Sequence, residues 1–266
     1  VEGSASKAIK VRLIGGKNND EFIDTSVVHG ISKTVFVYDR KDKKNDIQKG
    51  LETKLKLSAD KPVNEYNRKQ FRPNRTMPLI SGGYNIDDEV FIVVGVNIKR
   101  FNFRDSTFHK ITGSYAFETG AFNIEYNGLY SAFSDYFDLE LPASISMPRN
   151  VDNFFGLGNE TERITDEERF YRVRYEHGSL NPMLKHSVCD KISYKLGLFY
   201  HYYELEDTKD RFISDPEINR LDDAAFDERY FAGLNLDFEI DTRNSTVFPK
   251  RGLFWQSKAA GYFGLN

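Results

Sequence analysis

Y-F-A-G-L-N-L-D-F-E-I, residues 230–240, decides how the rest of the chain is read. Tyr230, Ala232, Leu234, Leu236, Phe238 and Ile240 fall on alternate positions, with Asn235, Asp237 and Glu239 between them. Side chains of a strand point to opposite faces in turn, so this pattern makes a strand with one apolar and one wet face. Its length matters as much as its period. Strands of soluble proteins usually run ~5–6 residues, whereas a tilted strand crossing a bilayer needs ~9–11.

The same pattern recurs on both sides. Val90, Ile92, Val94, Val96 and Ile98 share a face, as do His109, Ile111, Gly113, Tyr115 and Phe117. Phe122, Ile124, Tyr126 and Tyr130 follow a Thr119-Gly120 turn. Phe137 to Met147, Tyr171 to Glu176, Lys191 to His201 and Leu253 to Phe263 complete the series. On the strand at 171–176, Tyr171, Val173 and Tyr175 are expected on the apolar face. Arg172, Arg174 and Glu176 are expected on the wet one, with Lys191, Lys195, Asp237 and Glu239. Those charges mix both signs, as in a cross-paired interior rather than a selective pore. Tyr and Phe cluster near strand ends, where interfacial girdles would place them.

Composition fits this picture. The mean hydropathy of -0.56 is that of a polar chain, yet aromatics make up 14%, with 22 Phe and 15 Tyr against one Trp and one Cys. A transmembrane barrel has this balance, because only half of its strand residues meet lipid. A large soluble antiparallel sheet with one wet face has it too, and is the competing reading. The net charge of -3 gives no pull toward nucleic acid. No run approaches the ~18 apolar residues of a membrane helix, so any crossing is made by strands.

The connections at 148–169 and 204–228 are long and charged, while those at 100–107, 131–136, 179–188 and 241–251 are shorter. Long and short connections alternate in this way in an up-and-down barrel. Placing the preceding segment in the periplasm requires one more strand, T-M-P-L-I-S-G-G-Y at 76–84. The expected fold is therefore all-β. About nine antiparallel strands, residues 76–266, form the N-terminal portion of a transmembrane up-and-down barrel. Nine is odd, where bacterial single-chain barrels use even numbers, so the barrel is expected to be incomplete in this chain. Residues 1–50 read as a small β-rich, solenoid-like polar segment with short β-branched runs at Ile9–Ile14, Phe22–Ile23 and Thr34–Tyr38. Asp39 to Gly50 reads as a solvated loop and residues 51–75 as a polar connector.

Two loops carry motifs. Asn153-Phe154-Phe155-Gly156-Leu157-Gly158-Asn159 opens the first long loop, and its glycines suit a segment folding back on the barrel mouth. Asp241-Thr242-Arg243, then Phe248-Pro249-Lys250-Arg251-Gly252, makes a turn whose base Asp241 and Arg243 can pair. Each is weak alone. In order, with a strand pair between them, they resemble the BamA/TamA superfamily of outer-membrane assembly barrels (the bacterial surface antigen family). The nearer likeness is the branch in which the barrel follows a calcineurin-like phosphoesterase or another periplasmic domain. The resemblance covers residues 76–266, and V-R-L-I-G-G-K-N-N-D at 11–20 is similar to the segment before the barrel. It implies a sixteen-stranded barrel with a weak lateral seam, in the bacterial outer membrane with its N-terminal segment periplasmic. It also implies insertion of outer-membrane proteins or passage of substrates to the surface, with lipid, client proteins and accessory lipoproteins as partners. The family's R-G-[YF] lumen motif has no counterpart, since Arg251-Gly252-Leu253 sits in the turn.

Gly15-Gly16-Lys17-Asn18-Asn19-Asp20-Glu21-Phe22-Ile23 fits the calcium-binding nonapeptide pattern with Asn18 in place of the third Gly. Asn18 and Asp20 are the candidate oxygen ligands. Such sites need stacked repeats, and no clear second copy is visible in the sequence. The expectation is one rung of a short β-stack, without a cofactor and with calcium as the alternative. Gly158-Asn159-Glu160 lacks the His of a metallophosphatase motif. His29, His109, His177, His186 and His201 show no ligand spacing, and Cys189 reads as a strand or loop residue. No catalytic residue is expected in this chain. Against the assembly barrel stand a passive porin-like barrel, a membrane anchor for an upstream enzyme, and a soluble β-rich binding domain.

Overall fold

The computed structural model describes residues 1–3, 9–27, 35–58, 61–67, 69, 72–103, 105–131, 133–134, 136–158, 161–189, 191–219 and 221–266, with the backbone alone at 61, 62 and 216. It divides into two compact units, Val1–Arg72 and Pro73–Asn266.

The first unit is a short parallel coil. Strands β1 (Val11–Ile14), β3 (Val35–Arg40) and β5 (Thr53–Ser58) stack in parallel, and so do β2 (Glu21–Ile23) and β4 (Asp46–Gln48). Alternate strands thus build two walls, as in a solenoid. The middle strand carries the core. Val35, Val37, Tyr38 and Asp39 are buried, with Phe22 from β2 and Val63 beneath. The runs read at 9–14, 22–23 and 34–38 correspond to β1, β2 and β3, except that Thr34 lies outside the described residues. Two boundaries differ from expectation. The stretch 39–50 contains β4, and the segment read as a connector supplies the third rung, β5. Parallel stacking is satisfied by main-chain hydrogen bonds, so polar sequences can form rungs with little apolar signal.

A buried polar knot ties the coil together. The Ser26 hydroxyl donates to Asp24 at 2.6 Å and lies 2.9 Å from a Glu52 oxygen, while Thr53 donates to the other Asp24 oxygen at 2.7 Å. Burial raises the Asp24 pKa, but the bonds from Ser26 and Thr53 outweigh it and hold the carboxyl below its ordinary value.

The second unit is one antiparallel sheet. Its strands are β6 (Arg75–Asn85), β7 (Glu89–Phe101), β8 (Ser106–Ala116), β9 (Phe122–Tyr130), β10 (Asp138–Asn153), β11 (Arg172–Leu180), β12 (Met183–Cys189), β13 (Ile192–Leu205), β14 (Arg229–Asp241) and β15 (Phe254–Gly264). The order is sequential from β6 to β15, with β12 pairing β10 and β13. The ten strands occupy nine tracks. β11 and β12 share one register: Ala143 faces Leu180 and Glu140 faces Met183, while Leu180 faces Tyr200 and Met183 faces Gly197. They are one strand interrupted at Asn181-Pro182, where Pro182 has no N–H to donate. Residues 179–188, read as a connection, are therefore mostly strand, and the next strand starts at Ile192. The nine-track up-and-down sheet is the expected one.

The connections sort to two rims. The turns at 86–88 and 117–121 and the long loops at 154–171 and 206–228 share the first, called here the loop rim. The connections at 102–105, 131–137, 190–191 and 242–253 share the second, the turn rim.

Candidate functional site

Register and alternation sort the side chains of the sheet into two faces. One is apolar on every track. Across it run Ile80, Val94, Gly113, Ile124 and Ile145, paired in sequence, and further along Leu184, Leu196, Leu236 and Ala259. These side chains are not buried within the unit. Ile80, Val94, Ile124, Ile145, Leu196, Leu198, Leu234 and Leu236 are all exposed, Leu198 and Leu234 by 59% and 57%. Soluble monomers rarely leave apolar surface this continuous open to water.

Aromatic groups border the face at both rims. Toward the loop rim, Tyr115 meets Phe117 edge-on at 5.3 Å, and Tyr230 packs against Tyr200 and Tyr202 at 6.3 and 5.3 Å. Toward the turn rim, His109 lies 5.2 Å from Tyr130, His186 lies 5.3 Å from Tyr194, and Phe238 meets Trp255 at 6.5 Å. Polar tips are satisfied locally. His109 Nδ1 bonds the Tyr126 hydroxyl at 2.9 Å, which bonds that of Tyr130, and His186 Nδ1 lies 2.7 Å from the Tyr136 carbonyl. From Tyr230 to Phe238 is ~26 Å along the strand at ~3.3 Å per residue. With a barrel tilt of ~40° this becomes a band about 20 Å tall.

The other face is polar. One transverse row crosses five tracks as Asp138, Lys185, Lys195, Asp237 and Lys258, each opposite the next. Lys195 also reaches diagonally to Glu140 at 2.7 Å. His177 and His201 stand on this face 5.5 Å apart, with Tyr203 stacked on His177 at 4.4 Å. Two of the expected wet-face charges belong elsewhere. Arg174 and Glu176 share the parity of Gly178 and Leu180, which pair with Tyr202 and Tyr200 of the apolar face. Arg172, at the start of the strand, reaches the turn between β6 and β7, where it holds Asp87 at 2.7 Å and the Ile86 carbonyl at 3.2 Å. Val173, Tyr175 and His177 occupy the polar-face positions instead. The inversion has a physical cause: at the loop rim the long loops cover the polar face, and apolar residues are needed beneath them.

That cover is built from the first motif. Asn153 ends β10 opposite Arg172, and Phe154 N–H donates to the Tyr171 carbonyl at 2.9 Å. Phe154 packs 5.9 Å from Phe212 of the second loop, and Phe155 packs 4.9 Å from Tyr171. Tyr171 and Phe212 touch at 5.4 Å, with Phe170 edge-on to both. Tyr171, Val173, Phe212 and Ile213 are buried. The Tyr171 hydroxyl accepts the N–H groups of Ile164 and Thr165 at 2.7 and 3.2 Å, folding the first loop over its own ring. Asn219 donates to the Phe212 and Ile213 carbonyls and so holds the second loop. Gly156 and Gly158 adopt positive φ of 107° and 88°. Asn159 lies outside the described residues.

The second motif makes its own turn. Asp241 takes the Arg243 guanidinium bidentately at 2.9 and 2.7 Å, and that guanidinium lies 4.3 Å from the centre of the Phe254 ring. Asn244 accepts from Lys250 and Arg251, closing the segment that contains Pro249. Gly252 has φ of 105°, and a Cβ there would lie 2.3 Å from the Thr242 carbonyl oxygen. The two motifs therefore sit at opposite rims.

In the coil, Asp20 accepts the Gly16 N–H at 2.6 Å, and Asn18 is exposed on the same turn. The turn that stacks on it is at 44–46, without the glycines of the motif. Lys44 N–H donates to Asn19, Asp20 N–H to Asn45, and Asp46 N–H to the Asp20 carbonyl. Among the described residues, no group of three or more His, Cys, Asp or Glu is placed to hold a metal ion. His29 lies outside the described residues, and Cys189 is exposed where β12 ends.

Comparison with solved structures finds a likeness to the crystal structure of BamA from Haemophilus ducreyi lacking POTRA domains 1–3. The identity is 16% and the TM-score 0.42, over 73% of this chain and 34% of that one. The chain thus spans about a third of that structure's length. The sequence matches no protein-family model and no curated protein.

Proposed function

We propose that this chain is the N-terminal portion of a bacterial outer-membrane β-barrel of the assembly or translocation type, serving insertion of outer-membrane proteins or passage of substrates to the surface. The observation that carries the membrane reading is the apolar face, open on all nine tracks and bounded by aromatic groups at both rims. Lipid is the solvent in which such a face is at rest. The polar face then lines the lumen. Its charges mix both signs, with Lys195 paired to Glu140 and Asp237 lying between Lys195 and Lys258, instead of forming a constriction of like charge, which argues for a closed, hydrated interior over a selective pore. The loop rim is covered by its own apolar cluster. The motif resemblance supplies the assembly role, with client proteins and accessory lipoproteins as partners. No catalytic step is assigned to the chain, and a phosphoesterase activity would belong to a domain outside it.

The test is reconstitution, in lipid vesicles, of this chain together with the strands that complete its barrel, read by gel migration with and without heating, by insertion of a second outer-membrane protein and by ion conductance. Heat-modifiable migration and accelerated client insertion are expected. A steady large current without client would replace this reading by a passive porin. A chain that stays in solution without detergent would overturn the membrane assignment itself.

A further inference from the structure

We propose that His177 and His201 form a two-histidine site for a divalent transition-metal ion of the zinc class on the polar face of the sheet. Register sets them diagonally across β11 and β13: His177 stands opposite Tyr203, and His201 opposite Ser179. Their ring centres lie 5.5 Å apart. Two imidazoles bound to one ion at ~2.1 Å and near-tetrahedral angles have centres about 5 Å apart. The pair therefore stands close to the spacing that a shared ion needs.

The ring nitrogens are disposed for it. His177 Nε2 is buried and has no hydrogen-bond partner among the described residues. A ring packed only for its area gains nothing from that, since an unpaired buried polar atom is costly. His201 Nε2 lies 3.0 Å from the Asn181 side-chain oxygen. An amide oxygen only accepts, so Nε2 carries the hydrogen and Nδ1 keeps its lone pair. Among the described residues, Nδ1 meets only the Tyr203 hydroxyl, at 3.4 Å, which is long for a hydrogen bond. A carbonyl oxygen on the far nitrogen of a ligating histidine fixes its tautomer and orients its ring. The interruption at Asn181-Pro182 thereby gains a role. Asn181 N–H donates to the Pro142 carbonyl at 2.9 Å, and Leu198 N–H to the Pro182 carbonyl at 3.0 Å, so the break stays in the sheet with the Asn181 side chain against His201. Imidazole ligands suit zinc, copper or nickel, whereas magnesium and calcium prefer oxygen. Among the described residues, no cluster of three or more His, Cys, Asp or Glu could hold an ion, so water fills the remaining positions and the ion is exchangeable. This site rests on the polar face alone and does not depend on the assembly role.

The probe is Zn²⁺, titrated calorimetrically into this chain together with the strands that complete its barrel, folded in a neutral detergent. Co²⁺ replaces it for visible absorption. Saturable binding is expected, with Mg²⁺ unable to compete and Co²⁺ giving a four-coordinate absorption band. His177→Gln and His201→Gln each weaken Zn²⁺ binding about tenfold or more and abolish the band, while heat-modifiable migration checks that both variants fold. Asn181→Ala removes only the oxygen that positions His201 and weakens binding roughly 10–100-fold. His186→Gln, in the aromatic border, leaves binding unchanged. No saturable Zn²⁺ binding to the original chain, binding that survives in both histidine variants, or equal weakening by His186→Gln would overturn the site.

Discussion

Leu234→Arg places a charge at the centre of the apolar face. Leu234 is 57% exposed and pairs with Leu198 on one side and Gly261 on the other. It lies midway between Tyr230 and Phe238. Four residues at ~3.3 Å, tilted by ~40°, put it about 10 Å in depth from each aromatic border. In water, a substitution at so exposed a position would change stability by no more than about 0.5 kcal/mol. In a bilayer, an Arg near the midplane of a barrel costs roughly 2–4 kcal/mol. The matched control is Gln256→Arg, on the polar face of β15 opposite Glu239, where a change within about 0.5 kcal/mol is expected. Urea unfolding in lipid vesicles, followed by the single Trp255 at the turn-rim border, reads both variants. With a urea slope of about 2 kcal/mol/M, Leu234→Arg lowers the midpoint by roughly 1–2 M and Gln256→Arg leaves it in place. Equal midpoints for the two variants, or a Leu234→Arg chain that is more stable and soluble without lipid, would refute the assignment of the faces.

Tyr171→Phe keeps the buried ring but removes the acceptor of the Ile164 and Thr165 N–H groups, so about 1–3 kcal/mol of loop stability is lost, seen as faster proteolysis within 154–171. Gly252→Ala forces a Cβ against the Thr242 carbonyl at positive φ and should cost at least about 1–3 kcal/mol, measured as a lower unfolding midpoint. The depressed pKa of Asp24 means that its contribution to the coil is fully present above the unfolded value of about 3.9 and is lost as pH falls through the lower folded value. Pepsin should therefore release fragments of residues 1–72 only below that range, and Thr53→Val, which removes a bond to Asp24, should move the onset to higher pH.

Most of the sheet was legible because nearly every track shows water or a polar lumen on one side and an apolar surround on the other, which writes period two into the sequence. The strand at 172–189 was not. Asn181-Pro182 reads as a break, yet β10 and β13 hold the register on both sides of it. Its upper half was assigned to the wrong faces because Tyr171 and Val173 look lipid-facing in a strand that is in fact roofed by loops. The coil was legible only as short β runs, since a stacked rung such as β4 is held by main-chain bonds that leave little trace in composition. Of the candidate site, both motifs were visible through their glycines and their Asp–Arg spacing. Their opposite-rim placement, the two histidines within the aromatic border and the histidine pair on the polar face were not. Each of those depends on which residues the register sets side by side.

Nine tracks leave two free edges, and their directions constrain what can follow. Strands of the up-and-down sheet alternate in direction, so β6 and β15, the first and ninth tracks, run the same way. Closing the sheet on itself would pair them in parallel, with hydrogen bonds unlike those of every other pair in the sheet. Antiparallel closure needs an odd number of further strands. The two edges are also unequal as templates. β6 carries Pro78, which lacks a donor, and Gly82-Gly83, which weaken a strand. β15 has no proline, and its glycines, Gly261 and Gly264, are not adjacent; both edge strands are paired along their full length with their neighbours. A long, unblocked edge is the one that gains most from a partner strand. Of the two edges, β6 is therefore expected to hold a partner strand more weakly than β15.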